Sequence, residues 1–395
     1  WILDCIFRPT AADEPVDRPP ILNPDKLRAE GTLREQQVIL GWLICTASMK
    51  VFITSSKASL IIHMLDNFII MAKSGQILDF KTRKDLESLI GKLQDVSIGF
   101  HEGNYFLNRL RYRHRASAKT FRKRFDEMEL KDLIFWKSVV NKLKEGASGW
   151  PLNHILPTAR DYITISDAAE HGLGGYFILA DIVFAWRFEI PPEWRGLLTL
   201  NLLEFVGAYW TLHLLILLIR EVSPVDFRVL AIADSNSALG WMKNNCFDPH
   251  LQPAHDIVCR AIGSDLAHYS VSLDRLHMAG KHNHIADSLS RDTDVRPIAL
   301  CDALLAHPSC KHMLAGKKVI LFEQNGEELS SFMQSLVLAL PQKEPTQSNP
   351  VRSGLSIGRD GFNTYNNVDS STIRFCRRQQ VVSMLQQQMS SQALP

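Results

Sequence analysis

Through residues 1–38 prolines and acids interrupt every apolar run (Arg8-Pro9-Thr10, Arg18-Pro19-Pro20), which predicts connecting loops and one short helix. The first sustained apolar stretches are Val38-Ile39-Leu40-Gly41-Trp42-Leu43-Ile44 and Met49-Lys50-Val51-Phe52-Ile53, two β-rich runs separated by a short polar break. That pattern predicts a hairpin. The period then changes. Leu86, Leu89, Ile90, Leu93 and Val96 recur at the three-and-four spacing of an amphipathic helix. Residues 145–160, with two glycines and Trp150-Pro151, read as a boundary. Beyond it lie strand patterns at 162–167 and 176–188, an apolar helix from about 199 and a strand over 227–233. Helices over 235–245 and 253–268, a strand over 269–277 and a closing helix over 283–290 follow. Strands alternating with helices in this order predict a mixed α/β layer. The last hundred residues lose the pattern, and 342–372, rich in Ser, Asn, Gly and Gln, are expected to be disordered.

Composition sharpens this only in places. At 395 residues, with 46% apolar and 22% charged residues, the chain has material for two or three domains with cores of their own. Its seven cysteines are scattered, odd in number and without a Cys-x-x-Cys pair, which argues against a disulfide scaffold or structural zinc. A reducing, intracellular compartment is expected, cytoplasmic and/or nuclear. The chain opens at Trp1 rather than Met and is read as a piece of a longer protein. The run from Leu202 to Ile219 is long enough to cross a bilayer, but Glu204 and His213 inside it are costly in lipid. A core helix between a sheet and other helices is the expected reading, with no membrane partner.

Net charge is only +2, yet the basic residues are unevenly spread. From Arg109 to Arg124 eight Lys or Arg fall in sixteen residues without an acid, interleaved with Tyr112, His114 and Phe121. A solvated helix face is one account of such a run. Phosphate contact with base stacking is the other, and it needs uncompensated charge beside aromatics.

Four acids recur at element ends. Asp167 ends the strand in Ile-Thr-Ile-Ser-Asp-Ala-Ala-Glu-His-Gly-Leu-Gly-Gly-Tyr, before what reads as a tight Gly-rich turn. Glu204 opens the long apolar helix, Asp234 ends Phe-Arg-Val-Leu-Ala-Ile-Ala-Asp, and Asp287 sits on the closing helix. Singly, each could be a cap or a surface acid. Gathered at one sheet edge, four carboxylates would repel one another without bound cations, and hard oxygen ligands suit Mg²⁺ or Mn²⁺. Two such ions about 4 Å apart can activate water and stabilise a leaving oxygen in phosphodiester hydrolysis.

The order Asp, Glu, Asp, Asp on strand one, first helix, strand four and last helix resembles ribonuclease H. The local wording narrows this. Ser-Asp-Ala-Ala-Glu-His-Gly-Leu-Gly-Gly-Tyr, Asn-Leu-Leu-Glu, Ala-Asp-Ser-Asn-Ser-Ala-Leu-Gly-Trp and His-Met-Ala-Gly-Lys-His-Asn-His-Ile-Ala-Asp-Ser-Leu-Ser-Arg are similar to the ribonuclease H domain of retroelement reverse transcriptases, gypsy-like and DIRS-like. The resemblance covers 160–295. It implies endonucleolytic hydrolysis of the RNA strand of an RNA–DNA hybrid with two Mg²⁺ (Mn²⁺ in their place). Asp167 and Asp234 would share the ions, Glu204 would hold one with the attacking water, and Asp287 would complete the second site.

Upstream, Leu40-Gly41-Trp42 and the next strand resemble the primer-grip hairpin ending a reverse-transcriptase palm, and Arg83 to Leu93 resembles the helical thumb-like region after it. The expected organisation is a palm end over 1–58, a helical thumb or connection over 59–150, a ribonuclease H-like domain over 158–295 and a partly disordered tail over 296–395. The expected partners are a hybrid or template–primer duplex and the upstream polymerase half of the same polyprotein. Arg109, Arg111, Arg113, Arg115, Lys119, Arg122, Lys123 and Arg124 would contact nucleic acid, with Lys281 at the place where cellular ribonucleases H carry a mobile His. His282, His284 and His277 lie beside it without an assigned role.

The sequence departs from the family in one large respect. The polymerase signature, an aromatic residue followed by x-Asp-Asp, is absent, and Ile2-Leu3-Asp4-Cys5 would replace a hard ligand with a soft one. Polymerase activity is not expected of this chain. Integrases and transposases place Glu last rather than second, and proofreading exonucleases need Asp-x-Glu where Asp167-Ala168-Ala169 stands. No tyrosine-recombinase set is found over 300–395. A degenerate, inactive remnant that only binds nucleic acid remains the alternative.

Overall fold

Gly41, with φ of +81°, divides the first apolar run into two strands rather than one. In the computed structural model the described residues are 34–340 except 40, 118–123, 155–159, 180, 223–225, 245–246, 248, 309, 311–313 and 324–326. The expectations for 1–33, 341–395, Lys119, Arg122 and Lys123 therefore lie outside the described residues. Strands β1 (Gln36–Ile39), β2 (Trp42–Cys45) and β3 (Lys50–Ile53) form an antiparallel meander, to which β4 (Trp150–Pro151) adds. The expected hairpin is thus a three-stranded meander, because a glycine in the left-handed region lets the chain reverse within the apolar run.

Four helices follow: α1 (Ser55–Ser74), α2 (Phe80–Gly99), α3 (Asn108–Ser117) and α4 (Glu127–Leu143). Helix α1 stops at Gly75 in the left-handed conformation, and α2 and α4 start with reciprocal capping boxes, Asp79 with Thr82 and Asp126 with Glu129. The apolar stripe read from the sequence is the buried face of α2. Its last residue, Gly99, lies under the Trp42 ring, where a Cβ would come within 2.7 Å of the indole.

Two compact units emerge, one from residues 34–100 and 124–154, the other from 101–117 and 160–340. The expected boundary near 150 is therefore crossed by an insertion. The 3-10 turn His101–Phe106 and α3 belong with the second unit, where Tyr105 and Phe106 cover Gly263 so closely that a Cβ would lie 2.7 Å from the Phe106 ring.

The second unit is built on a six-stranded sheet. Its strands are β5 (Tyr162–Ala169), β6 (Gly172–Leu179), β7 (Ile182–Glu189), β8 (Phe227–Ala233), β9 (Val271–His277) and β10 (Lys318–Glu323), in the order β10-β7-β6-β5-β8-β9. The first three are antiparallel neighbours, and β8 and β9 join in parallel beyond β5. The expected single strand over 176–188 is two strands, reversing around Asp181.

Helix α5 (Leu200–Val222) crosses one face beside α6 (Asn236–Asn244) and α7 (Pro253–Tyr269); α8 (His284–Arg291) and α9 (Pro297–Ala306) serve the other. This is an α/β fold, a ribonuclease H-like mixed sheet flanked by helices. Helix α5 is the apolar run of the sequence, and 83% of its most apolar window is covered by protein.

The tail does not lose order at 296. Leu300, Cys301, Leu304, Cys310, Leu314 and Leu321 pack with Ile285, Ala286 and Leu289 of α8 in one core, and β10 extends the sheet in parallel from β7. Helix α10 (Glu327–Leu338) brings Phe332 against Tyr209 and Trp210 of α5. Two of these elements were visible as Pro297-Ile-Ala-Leu and Lys318-Val-Ile-Leu-Phe, short apolar runs whose partners are distant in sequence.

Candidate metal centre

Strand register brings the first two acids together. β5 and β8 are parallel with Ile165 beside Ile232, so two residues further on Asp167 stands level with Asp234. Residues at one register position in neighbouring strands point to the same face. Asp167 is buried, 3% exposed, within β5 rather than at its tip, since the strand continues to Ala169.

The third acid arrives from α5, which approaches β5 at Gly207; a Cβ there would already stand 3.4 Å from the Asp167 carbonyl. Glu204, three residues earlier and buried, therefore reaches the same edge. Carboxylate oxygens of Asp167, Glu204 and Asp234 lie within 4.8 Å of one another.

The glycines after Asp167 serve packing, not turning. The turn itself is Glu170-His171, and Gly172, Gly174 and Gly175 lie inside β6 without positive φ. A Cβ on Gly172 would fall 2.2 Å from the Ser290 carbonyl, and one on Gly174 would fall 2.5 Å from Leu289 Cβ. These two positions let α8 lie directly on the strand. On the opposite face a Cβ on Gly175 would strike Thr211 Oγ1 at 2.2 Å, where Trp186 Nε1 donates to that hydroxyl at 3.0 Å.

Close approach of α8 delivers Ser290, whose hydroxyl donates to Asp167 Oδ2 at 2.6 Å. Asn283 Nδ2 donates to the Ser166 carbonyl at 3.1 Å and fastens the start of the helix to β5. Asp287 is on the same helix but does not join the triad; its Oδ1 accepts from Arg291 Nε at 2.6 Å. Lys281 is exposed on the 3-10 turn Gly280–His282, and a Cβ on Gly280 would approach Asp234 Oδ2 to 2.9 Å, so this turn rims the acids. His277 Nε2 lies 3.0 Å from the Asp234 carbonyl, a backbone contact.

Electrostatics match the crowding. Burial, reinforced by the Asp234 and Asp287 charges and opposed by the Ser290 hydrogen bond and Arg291, pushes Asp167 up to about 6. Burial, then the charges of Asp167 and Asp234, pushes Glu204 up to about 8. Glu204 Oε2 and Asp234 Oδ1 are buried without a hydrogen-bond partner among the described residues. Two orphaned oxygens in an all-carboxylate group fit a hard divalent cation, which would satisfy both and relieve the repulsion.

No protein-family model matches the chain, and no curated protein matches it. Among solved structures, a foamy viral protease-reverse transcriptase in complex with RNA/DNA hybrid is similar at 13% identity, over 44% of this chain and 27% of that chain, with a TM-score of 0.24. The matched part thus spans about a quarter of that chain, and at this score the likeness carries no weight for fold or function.

The basic run is split by the helix that carries it. Arg109 and Arg113, four residues apart on α3, are buried at 8% and 6% exposure. Arg109 donates through Nε and Nη2 to Asp256 Oδ2, at 3.0 and 2.8 Å. Burial raises the Asp256 carboxyl, with the Arg109 charge opposing. Of the basic residues expected to meet phosphate, Arg109 and Arg113 are therefore buried, Arg109 against Asp256. Arg111 is half-buried, and Arg115 and Arg124 are exposed.

Sequence reasoning passed over Ser290 and Arg291. Their signal was present: three and four residues after Asp287, they share its helix face.

Proposed function

We propose that this chain is the ribonuclease H part of a retroelement reverse transcriptase and cleaves the RNA strand of RNA–DNA hybrids. The supporting observation is the meeting of Asp167, Glu204 and Asp234 within 4.8 Å on a ribonuclease H-like sheet. Mg²⁺ or Mn²⁺, when bound there, supplies the positive charge that phosphodiester hydrolysis requires. Asp167 and Asp234, level on adjacent strands, would hold the ions from the sheet side. Glu204 would close the site from α5 and orient the attacking water, and Asp287 would serve a second ion. Ser290 keeps the Asp167 carboxylate in one orientation. Lys281 and the exposed Arg115 and Arg124, with Arg111, would meet phosphates of the hybrid. The meander and helices of the first unit would be the end of the palm and the thumb-like region, completed by an upstream polymerase half.

Mg²⁺-dependent cleavage of a labelled RNA–DNA hybrid, wild type beside Asp167→Asn, tests the reading. Cleavage by the wild type alone, with single-stranded RNA left intact, is the expected outcome. Folded protein that cuts no hybrid, with or without a separately supplied polymerase half, would overturn it in favour of a remnant that only binds.

A further inference from the structure

Among the described residues, Arg291 is the cation paired with an acid of the candidate centre, and the ribonuclease H reading gives it no role. Its guanidinium holds Asp287 Oδ1 at 2.6 Å while the two side chains stay 61% and 43% exposed. The backbone beneath it is pinned: His171 Nε2 lies 3.0 Å from the Arg291 carbonyl, and Arg187 Nη1 donates to the Asp292 carbonyl at 2.9 Å. A fixed backbone under an exposed head lets the side chain exchange partners without moving α8. An exposed pair four residues apart is weak and readily exchanged. A phosphate, by contrast, offers a guanidinium two parallel charge-assisted hydrogen bonds. Arg291 also opposes the upward shifts of Asp167 and Glu204, so its charge is felt across the triad.

Resting on that reading, we propose that Arg291 is an internal cation competing with a divalent ion for Asp287, released when a phosphate of the bound hybrid draws its guanidinium away. The fourth acid then gains full affinity for an ion only when nucleic acid is present. Arg291 is a positioning residue acting through Asp287.

Mn²⁺ binding by the full chain without nucleic acid, followed by loss of the free-ion paramagnetic signal, tests this. Wild type should show a tighter and a weaker class of site. Arg291→Gln should tighten the weaker class by about fivefold, the scale of one nearby unit charge across a screened surface. Arg291→Lys, which keeps the charge, should bind as wild type, and Asp287→Asn should abolish the weaker class. Hybrid added to the wild type should tighten it as the Gln substitution does. A Gln variant that binds Mn²⁺ as the wild type does, while hybrid is still cut, overturns the role of Arg291 and leaves the ribonuclease reading standing. Absence of any Mn²⁺ binding overturns both.

Discussion

Glu204 and Asp167 carry the sharpest consequences of single residues. Both carboxyls are raised, so the folded metal-free protein keeps protons that the unfolded chain has released. Stability present below the ordinary carboxylate range is therefore lost as pH rises toward about 6 for Asp167 and about 8 for Glu204. In chelator, the melting temperature should fall as pH rises through that window, and Glu204→Gln should flatten the fall at its upper end. Saturating Mg²⁺ should restore what is lost. Identical pH profiles for wild type and Glu204→Gln would show that the carboxylate is not buried among charges. Arg109 makes a different case: Arg109→Ala takes from the buried Asp256 its hydrogen-bonded partner and leaves the charge of Arg260 to offset it in part, which should cost about 3 kcal/mol. Arg115→Ala, at an exposed position, should leave denaturant midpoints unchanged.

Among elements, α8 and α3 show how pattern and placement differ. Helix α8 lies on β6 because Gly172 and Gly174 leave room for it. Gly174→Ala would drive a methyl to 2.5 Å from Leu289 Cβ, and such overpacking typically costs about 1–3 kcal/mol. Calorimetry should show that loss, with weaker ion binding because Ser290 moves off Asp167. An unchanged melting temperature would mean that α8 is free to shift. Helix α3 turns one basic run into two faces: Arg109 and Arg113 inside, Arg111 and Arg115 outward or half-outward. Replacing Arg111 and Arg115 with Gln should flatten the salt dependence of hybrid binding by up to about two in log–log slope, near 0.9 per lost phosphate contact. An unaltered slope would return that face to a solvated role. The stripe of α2 was readable because it depends on residues three or four apart; the caps of α2 and α4 are as local but were passed over. Gly172 and Gly174 of β6 were misread as part of a turn because the atoms they accommodate come from more than a hundred residues later.

For the whole molecule, the folded domain extends well past the last candidate acid. Leu300, Leu304 and Leu321 share a core with Ile285, Ala286 and Leu289, so a chain ending at 295 would expose the apolar face of the helix that bears Asp287. That truncation should be insoluble or melt far below a chain ending at 340, as solubility and thermal scans would register. Equal stability of the two would show that α9, β10 and α10 are dispensable. A core assembled from runs this distant leaves little local trace, which is why the sequence pattern suggested a tail.

Read alone, the sequence determined the order of most strands and helices, the mixed α/β class and the four acids, because period and apolar runs act over a few residues. It could not decide that β5 and β8 run in a register setting Asp167 level with Asp234, or that Gly207 admits Glu204 to the same edge. Nor could it separate Asp287, held by Arg291, from the three acids that meet, or enclosed arginines from exposed ones. Those depend on distances between residues far apart in the chain, which exist only once the sheet has formed and the helices have packed on it.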